Sequence, residues 1–189
     1  MLSNVIFNDH SKLKGQHAFL SASQYHWLNY SEEKIAERYS NFLATLKGTQ
    51  LHEFAAEAIR LGIKLPKTKQ TLNMYVNDAI GFRMRPEQTL YYSDNCYGTA
   101  DAISYKNKFL RIHDLKTGVS QTSMNQPLVY AALFCLEYKI KPGDIQTELR
   151  IYQNDDFEVW NPVADDILPV MDTIVTFDKI IDNIKLKEG

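Results

Sequence analysis

Residues 98–118, GTADAISYKNKFLRIHDLKTG, read as two β-strands joined by a tight turn, and the rest of the chain arranges itself around that pair. Side chains alternate along a strand, so Leu110, Ile112, Asp114 and Lys116 share one face. Phe109, Arg111, His113 and Leu115 share the other. Both rows begin apolar, which predicts a central strand. Asp114 and Lys116 then leave the core together, at the rim of the sheet. A two-residue turn at Lys106-Asn107 pairs Tyr105 with Lys108. Asp101 then falls opposite Ile112, diagonal to Asp114 and on the same face. Diagonal neighbours lie about 7–8 Å apart, close enough for two carboxylates to share one divalent cation at about 2.0–2.2 Å. An odd loop would turn Asp101 away. Gly98, Ala100 and Ala102 line the opposite face, where something must pack closely.

Taken alone, an Asp-x-Lys at a strand end is an ion pair worth little when exposed. The second acid changes the balance. Like charges on adjacent strand positions are unfavourable unless a cation or hydrogen bonds offset them.

Before this region the period is helical. Residues 21–30 offer Ser23 as a helix cap. Residues 31–46 carry an apolar stripe with Ser31 as its start, and Gly48 breaks the pattern. A second helix runs from about Thr49 to Leu61, with His52 at the edge of its apolar stripe and Glu53 and Glu57 facing solvent. Residues 69–83 are again helical. After the loop at Thr117–Ser123, a helix over about 125–138 places Gln126 and Tyr130 one turn apart, with Pro127 early enough to be tolerated. QTELRIY and FEVW read as two further strands, and 164–184 as a final helix. The expected architecture is a single mixed α/β domain over 1–189, a central mixed sheet flanked by helices.

Composition sets bounds. The 189 residues suit one sizeable core, and the formal charge of −2 leaves no global basic footprint for nucleic acid. Two cysteines, Cys96 and Cys135, cannot supply a four-thiolate metal site, so no iron–sulfur cluster is expected. Both read as buried thiols. The N-terminus lacks a signal-peptide core and no apolar run approaches membrane-spanning length, which points to the cytoplasm and away from a membrane. The first 17 residues are polar and irregular.

In order, GTQLHE, GTADAI, HDLKTG and QPLVY resemble the PD-(D/E)XK nuclease superfamily, in its RecB-type branch. FLSASQYHWLNY is similar to the amino-terminal segment of stand-alone phage and prophage members, with Tyr30 where they commonly carry Cys. The match runs from about Ser21 to Tyr130, three fifths of the chain, with the motif core over about 21–138 and the tail 139–189 completing the sheet. The resemblance implies a restriction-endonuclease-like core and Mg²⁺- or Mn²⁺-dependent hydrolysis of DNA phosphodiesters, as an exonuclease in phage or bacterial DNA processing. It makes Asp101 and Asp114 metal ligands and His52 a further one; the Leu115 carbonyl is an expected third donor because hard cations accept such oxygens. Lys116 becomes the catalytic lysine, with Gln126 and Tyr130 beside it. DNA, single- or double-stranded, is the implied partner, together with a phage recombination or single-strand-binding protein in a bacterial or phage-infected cell. No GxxxxGK[ST] motor motif occurs. Two other readings stay open: a catalytically silent nuclease-fold module that binds DNA or protein, and an interaction protein whose strand-end charges are solvated ion pairs.

Overall fold

The computed structural model describes residues 8–120 and 122–188; residues 1–7 of the expected irregular start, and Gln121 in the loop before the third helix, lie outside them. Two compact units divide the chain, one up to Leu46 and one from Lys47. In the first, a short 3-10 segment covers Ala22–Asn29. Its N-cap is Ser21 rather than Ser23, and the two hydroxyls bond each other at 2.9 Å. Trp27 Nε1 donates to the Ser21 carbonyl at 2.9 Å. Phe19, Tyr39 and Phe42 stack into a small aromatic cluster with centroids 5.0–5.9 Å apart.

Helix α1 runs Glu32–Leu61 without interruption. Ser31 Oγ accepts from the Lys34 N–H at 3.2 Å, the cap its sequence implies. Gly48 does not break the helix, contrary to the expectation from its low propensity, so the two expected helices are one; it is a packing residue. It is buried, and a Cβ there would lie 2.8 Å from Thr117 Oγ1, so any larger residue forces that side chain to shift.

The second unit is built on a five-stranded sheet in the order β1-β2-β3-β4-β5: Arg85–Ser93, Cys96–Lys106, Phe109–Leu115, Gln146–Gln153 and Asp156–Trp160. All steps are antiparallel except β3 to β4. A parallel step needs a crossover, and α3 (Asn125–Glu137) supplies it. Helix α2 (Thr71–Gly81) and the second half of α1 cover one face; α3 and α4 (Ala164–Glu188) cover the other. This is the mixed α/β architecture, a central mixed sheet flanked by helices, that the sequence predicts. On the α3 side the core holds Leu90, Leu110, Ile112, Leu133, Leu149 and Ile167. On the α1/α2 side it holds Ala55, Ile59, Tyr75, Val76, Leu115 and Tyr152. Of the expected α4 stripe, Ile167 and Ile174 are buried, whereas Leu168 and Ile181 are exposed.

Two corrections concern β2. The turn is Asn107-Lys108, not Lys106-Asn107: Lys106 pairs with Phe109 and both turn residues have positive φ, +52° and +60°. That is the type I′ geometry that matches strand twist. Sliding the turn by one residue moves the register by two, so faces are kept. Tyr105 therefore pairs with Leu110 and Ala102 with His113. The paired register ends there, and Asp101 follows just past it with Oδ2 on the Leu115 N–H at 2.8 Å. Second, Gly98 and Ala100 do not share a face with Ala102. Tyr130 of α3 closes over Gly98, and Ala100 joins the α3-side core, while Ala102 joins the other. The ladder passes from Pro86↔Ala102 to Gln88↔Ala100 with Glu87 at φ +48°, so the strand rotates at Asp101. Ladder irregularities of this kind re-aim a side chain.

Candidate active site

Asp101, Asp114 and Lys116 stand where β2 and β3 part. Asp114 is 1% exposed on the central strand. Asp101 turns one carboxylate oxygen back onto β3, where Oδ2 accepts from the Leu115 N–H at 2.8 Å. Leu115 thus ties Asp101 to β3 through its amide N–H. His52 comes from α1, and its Nδ1 lies 3.4 Å from Asp101 Oδ1. Its place at the edge of the apolar stripe is what lets the ring pass the core: Ala55, Ala58 and Ile59 bury the helix beside it. Glu53 and Glu57 are exposed, with Glu57 held by Arg60 at 3.1 Å.

Lys116 extends the β3 line, its N–H donating to the Tyr152 carbonyl at 2.9 Å. Its Nζ lies 2.9 Å from Asp114 Oδ2, donates to Oδ1 at 3.2 Å, and donates to Gln126 Oε1 at 2.7 Å. Gln126 Nε2 donates in turn to the Tyr130 hydroxyl at 3.2 Å. Strand and helix motifs far apart in sequence therefore join at one ammonium. A small cavity of about 260 Å³ opens beside Leu115, Lys116 and Thr117.

The electrostatics follow from burial. Asp114 is pushed up to about 6, first by loss of water and then by the charge of Asp101; Lys116 and His52 act in the opposite direction. His52 is raised above the ordinary histidine range, chiefly by its contact with Asp101. Asp114 Oδ2 is buried and receives no well-aligned hydrogen bond, the ammonium contact being ionic only. A buried carboxylate oxygen without a donor is costly, and two facing carboxylates are a donor set that suits a hard cation. Among the described residues, no group of three or more His, Cys, Asp or Glu has the mutual placement of a metal site.

Two features were hidden from sequence. Tyr75 of α2, 2% exposed, sits within reach of both carboxylates' fields; burial first, then Asp101 and Asp114, push its phenol well above the ordinary value. In sequence it reads as one more apolar position of α2. Beneath β3, His113 is fully buried and pushed down to about 3 by burial, with Arg150 and Arg111 adding to the effect. Tyr152 donates to Asp78 at 2.7 Å and lies 3.4 Å from His113 Nδ1. These partners span four elements, and no local spacing announces them. Both cysteines are free, Cys135 buried and Cys96 only half-buried. Among the described residues no helix is long and apolar enough to cross a membrane.

No family model matches this chain, and neither the curated proteins nor the solved structures yield a match.

Proposed function

We propose that this chain is a divalent-metal-dependent DNA nuclease of the PD-(D/E)XK type, similar to the stand-alone members of the RecB-type branch. The observation that carries the reading is the Lys116 ammonium, set between Asp114 at 2.9 Å and Gln126 at 2.7 Å, with Asp101 across the strand pair. A strand-end ion pair has no need of a second acid facing it, nor of a helix side chain fixing its lysine.

Asp101 and Asp114 would hold the cation, Mg²⁺ or Mn²⁺, with His52 and the Leu115 carbonyl as further donors; bound there, it supplies a neutralising charge to the phosphate and a more acidic water. The residues themselves divide the remaining work. Lys116 places its positive charge where the phosphoryl oxygens become more negative. Gln126 fixes the ammonium, and Tyr130 fixes Gln126, so little reorganisation accompanies reaction. His52 holds Asp101 in place. Because its proton is retained to higher pH, it competes with metal binding as pH falls.

A second reading is a nuclease-fold module without turnover. Lys116 already neutralises Asp114, and among the described residues no three-ligand cluster is assembled, which favours it. Incubation of the purified protein with linear and circular, single- and double-stranded DNA, in Mn²⁺, Mg²⁺ or EDTA, separates the two. Cleavage with metal and none in EDTA supports the nuclease; Asp114→Asn and Lys116→Ala should each reduce it by at least about a thousandfold, the scale of losing preorganised charge. Full activity in Asp114→Asn would sink the assignment.

A further inference from the structure

We propose that a cavity of about 1020 Å³ at the far end of β2 binds a segment of single-stranded nucleic acid, bases against Tyr105 and Tyr138 and phosphates on Arg83, Arg85 and Lys106. The inference deepens the nuclease reading and rests on it for what lies at the strand's end. Three observations support it.

First, the charge is uncommitted. Arg83, Arg85 and Lys106 line the cavity, all are exposed, and none makes an ion pair among the described residues. Glu87, the acid nearest in sequence, is taken by Arg60 at 2.9 Å. In a chain of net charge −2, three free cations at one concavity form a local anion site.

Second, the walls are aromatic and rigid. Phe134 is 6% exposed and supports both outer rings, with centroids 5.0 Å from Tyr105 and 4.8 Å from Tyr138. Tyr105 and Tyr138 remain 42% and 49% exposed. Exposed, braced rings beside a basic groove are what unpaired bases stack on; a duplex keeps its base faces occupied.

Third, the cavity and the candidate site are built on the same two elements, β2 and α3. Ile103 and Tyr105, on one face of β2 just beyond the rotation at Asp101, both line the cavity. At a rise of about 3.3 Å per residue, Tyr105 is about 13 Å along the strand from Asp101. On α3, Gln126, Tyr130, Phe134 and Tyr138 follow one another at four-residue steps, each the next one's neighbour. One end of this row fixes Lys116 and the other walls the cavity.

The test is binding without turnover. A fluorescein-labelled dT12 oligonucleotide is titrated in EDTA with the full chain, with Arg85→Glu/Lys106→Glu, with Tyr138→Ala, and with Lys179→Glu/Lys187→Glu as a charge-matched change elsewhere. Thermal melts check that each variant is folded. The cavity double variant should bind at least about tenfold more weakly while the charge-matched control stays near wild type. Tyr138→Ala should lose roughly tenfold, one stacked base. A blunt duplex and thymidine monophosphate should compete poorly. Equal losses in the cavity and control variants overturn the proposal, as do duplex or mononucleotide competing as well as dT12. Binding that depends on the cavity in a protein that never cuts DNA supports this inference and defeats the nuclease reading. Metal-dependent cleavage with binding indifferent to the cavity does the reverse.

Discussion

Asp114 holds a negative charge where water cannot reach it. Its value, raised to about 6 from 3.8, means that the folded protein binds a proton more tightly here than the unfolded chain does. Stability therefore falls as pH rises from about 4 to about 6, and the loss persists above that. With the side chain 2% exposed, it amounts to at most about 3 kcal/mol. Asp114→Asn should accordingly be more stable than wild type at pH 8 in EDTA, with the gap closing below about pH 4; urea unfolding across pH measures it. His113 works in the opposite direction. Buried neutral, with its value near 3, it withdraws stability as pH drops from 6.5 toward 3. Both proteins carry it, so it cancels in the difference. A variant less stable than wild type at pH 8 would mean that Lys116 more than repays the burial of Asp114, and that the pair is structural.

At the scale of elements, the β2–β3 turn sets the site. Lys106, Asn107 and Lys108 are all acceptable in a turn, so sequence alone leaves its position open by one residue, and only the pairing of Lys106 with Phe109 chooses between them. The one-residue difference costs nothing at the site because any even loop conserves the faces. Lys108 sits at φ +60°, a conformation that suits glycine. Lys108→Gly should stabilise the protein by about 0.5–1 kcal/mol, read from the urea midpoint, and leave metal affinity unchanged. Loss of stability would show that the lysine side chain contributes more than its backbone strain costs. Gly48 illustrates the opposite limit of legibility. Helix propensity marks it as a breaker, but the partner that explains it, Thr117, is 69 positions away. The strand rotation at Asp101 was equally invisible, since alternation assumes a regular strand.

Across the whole molecule, the sheet's strands appear in sequence order, and the tail closes it at both edges. β5 pairs along β4, while α4 reaches the β1–β2 turn: Asp178 accepts from Ser93 at 2.5 Å and from Asn95 at 2.8 Å. Asp155 also caps α2, accepting from the Thr71 N–H at 2.9 Å. A chain ending at Asn154 loses all of these and uncovers the core over which Ile167 and Ile174 lie. It should be insoluble; a soluble, cleaving fragment would show that the tail is dispensable. The β2–β3 hairpin and the closeness of its two acids were legible because they depend on neighbours in sequence. The cavity was not, since its walls come from three segments meeting in space.

The closeness of Asp101 and Asp114 also bears on how fast the protein folds. They are joined by one of the sheet's two-residue hairpins, whose short loops cost little to close, so their approach belongs among the early contacts. Two carboxylates then approach before the rest of the core exists to hold them. Their repulsion would fall on the climb to the transition state, slowing refolding at pH 8 while leaving unfolding nearly untouched. Stopped-flow refolding in EDTA should therefore be faster for Asp114→Asn than for wild type, and Mn²⁺ should speed the wild type alone. If the variant differs only in its unfolding rate, the two acids meet late, after the barrier has been crossed.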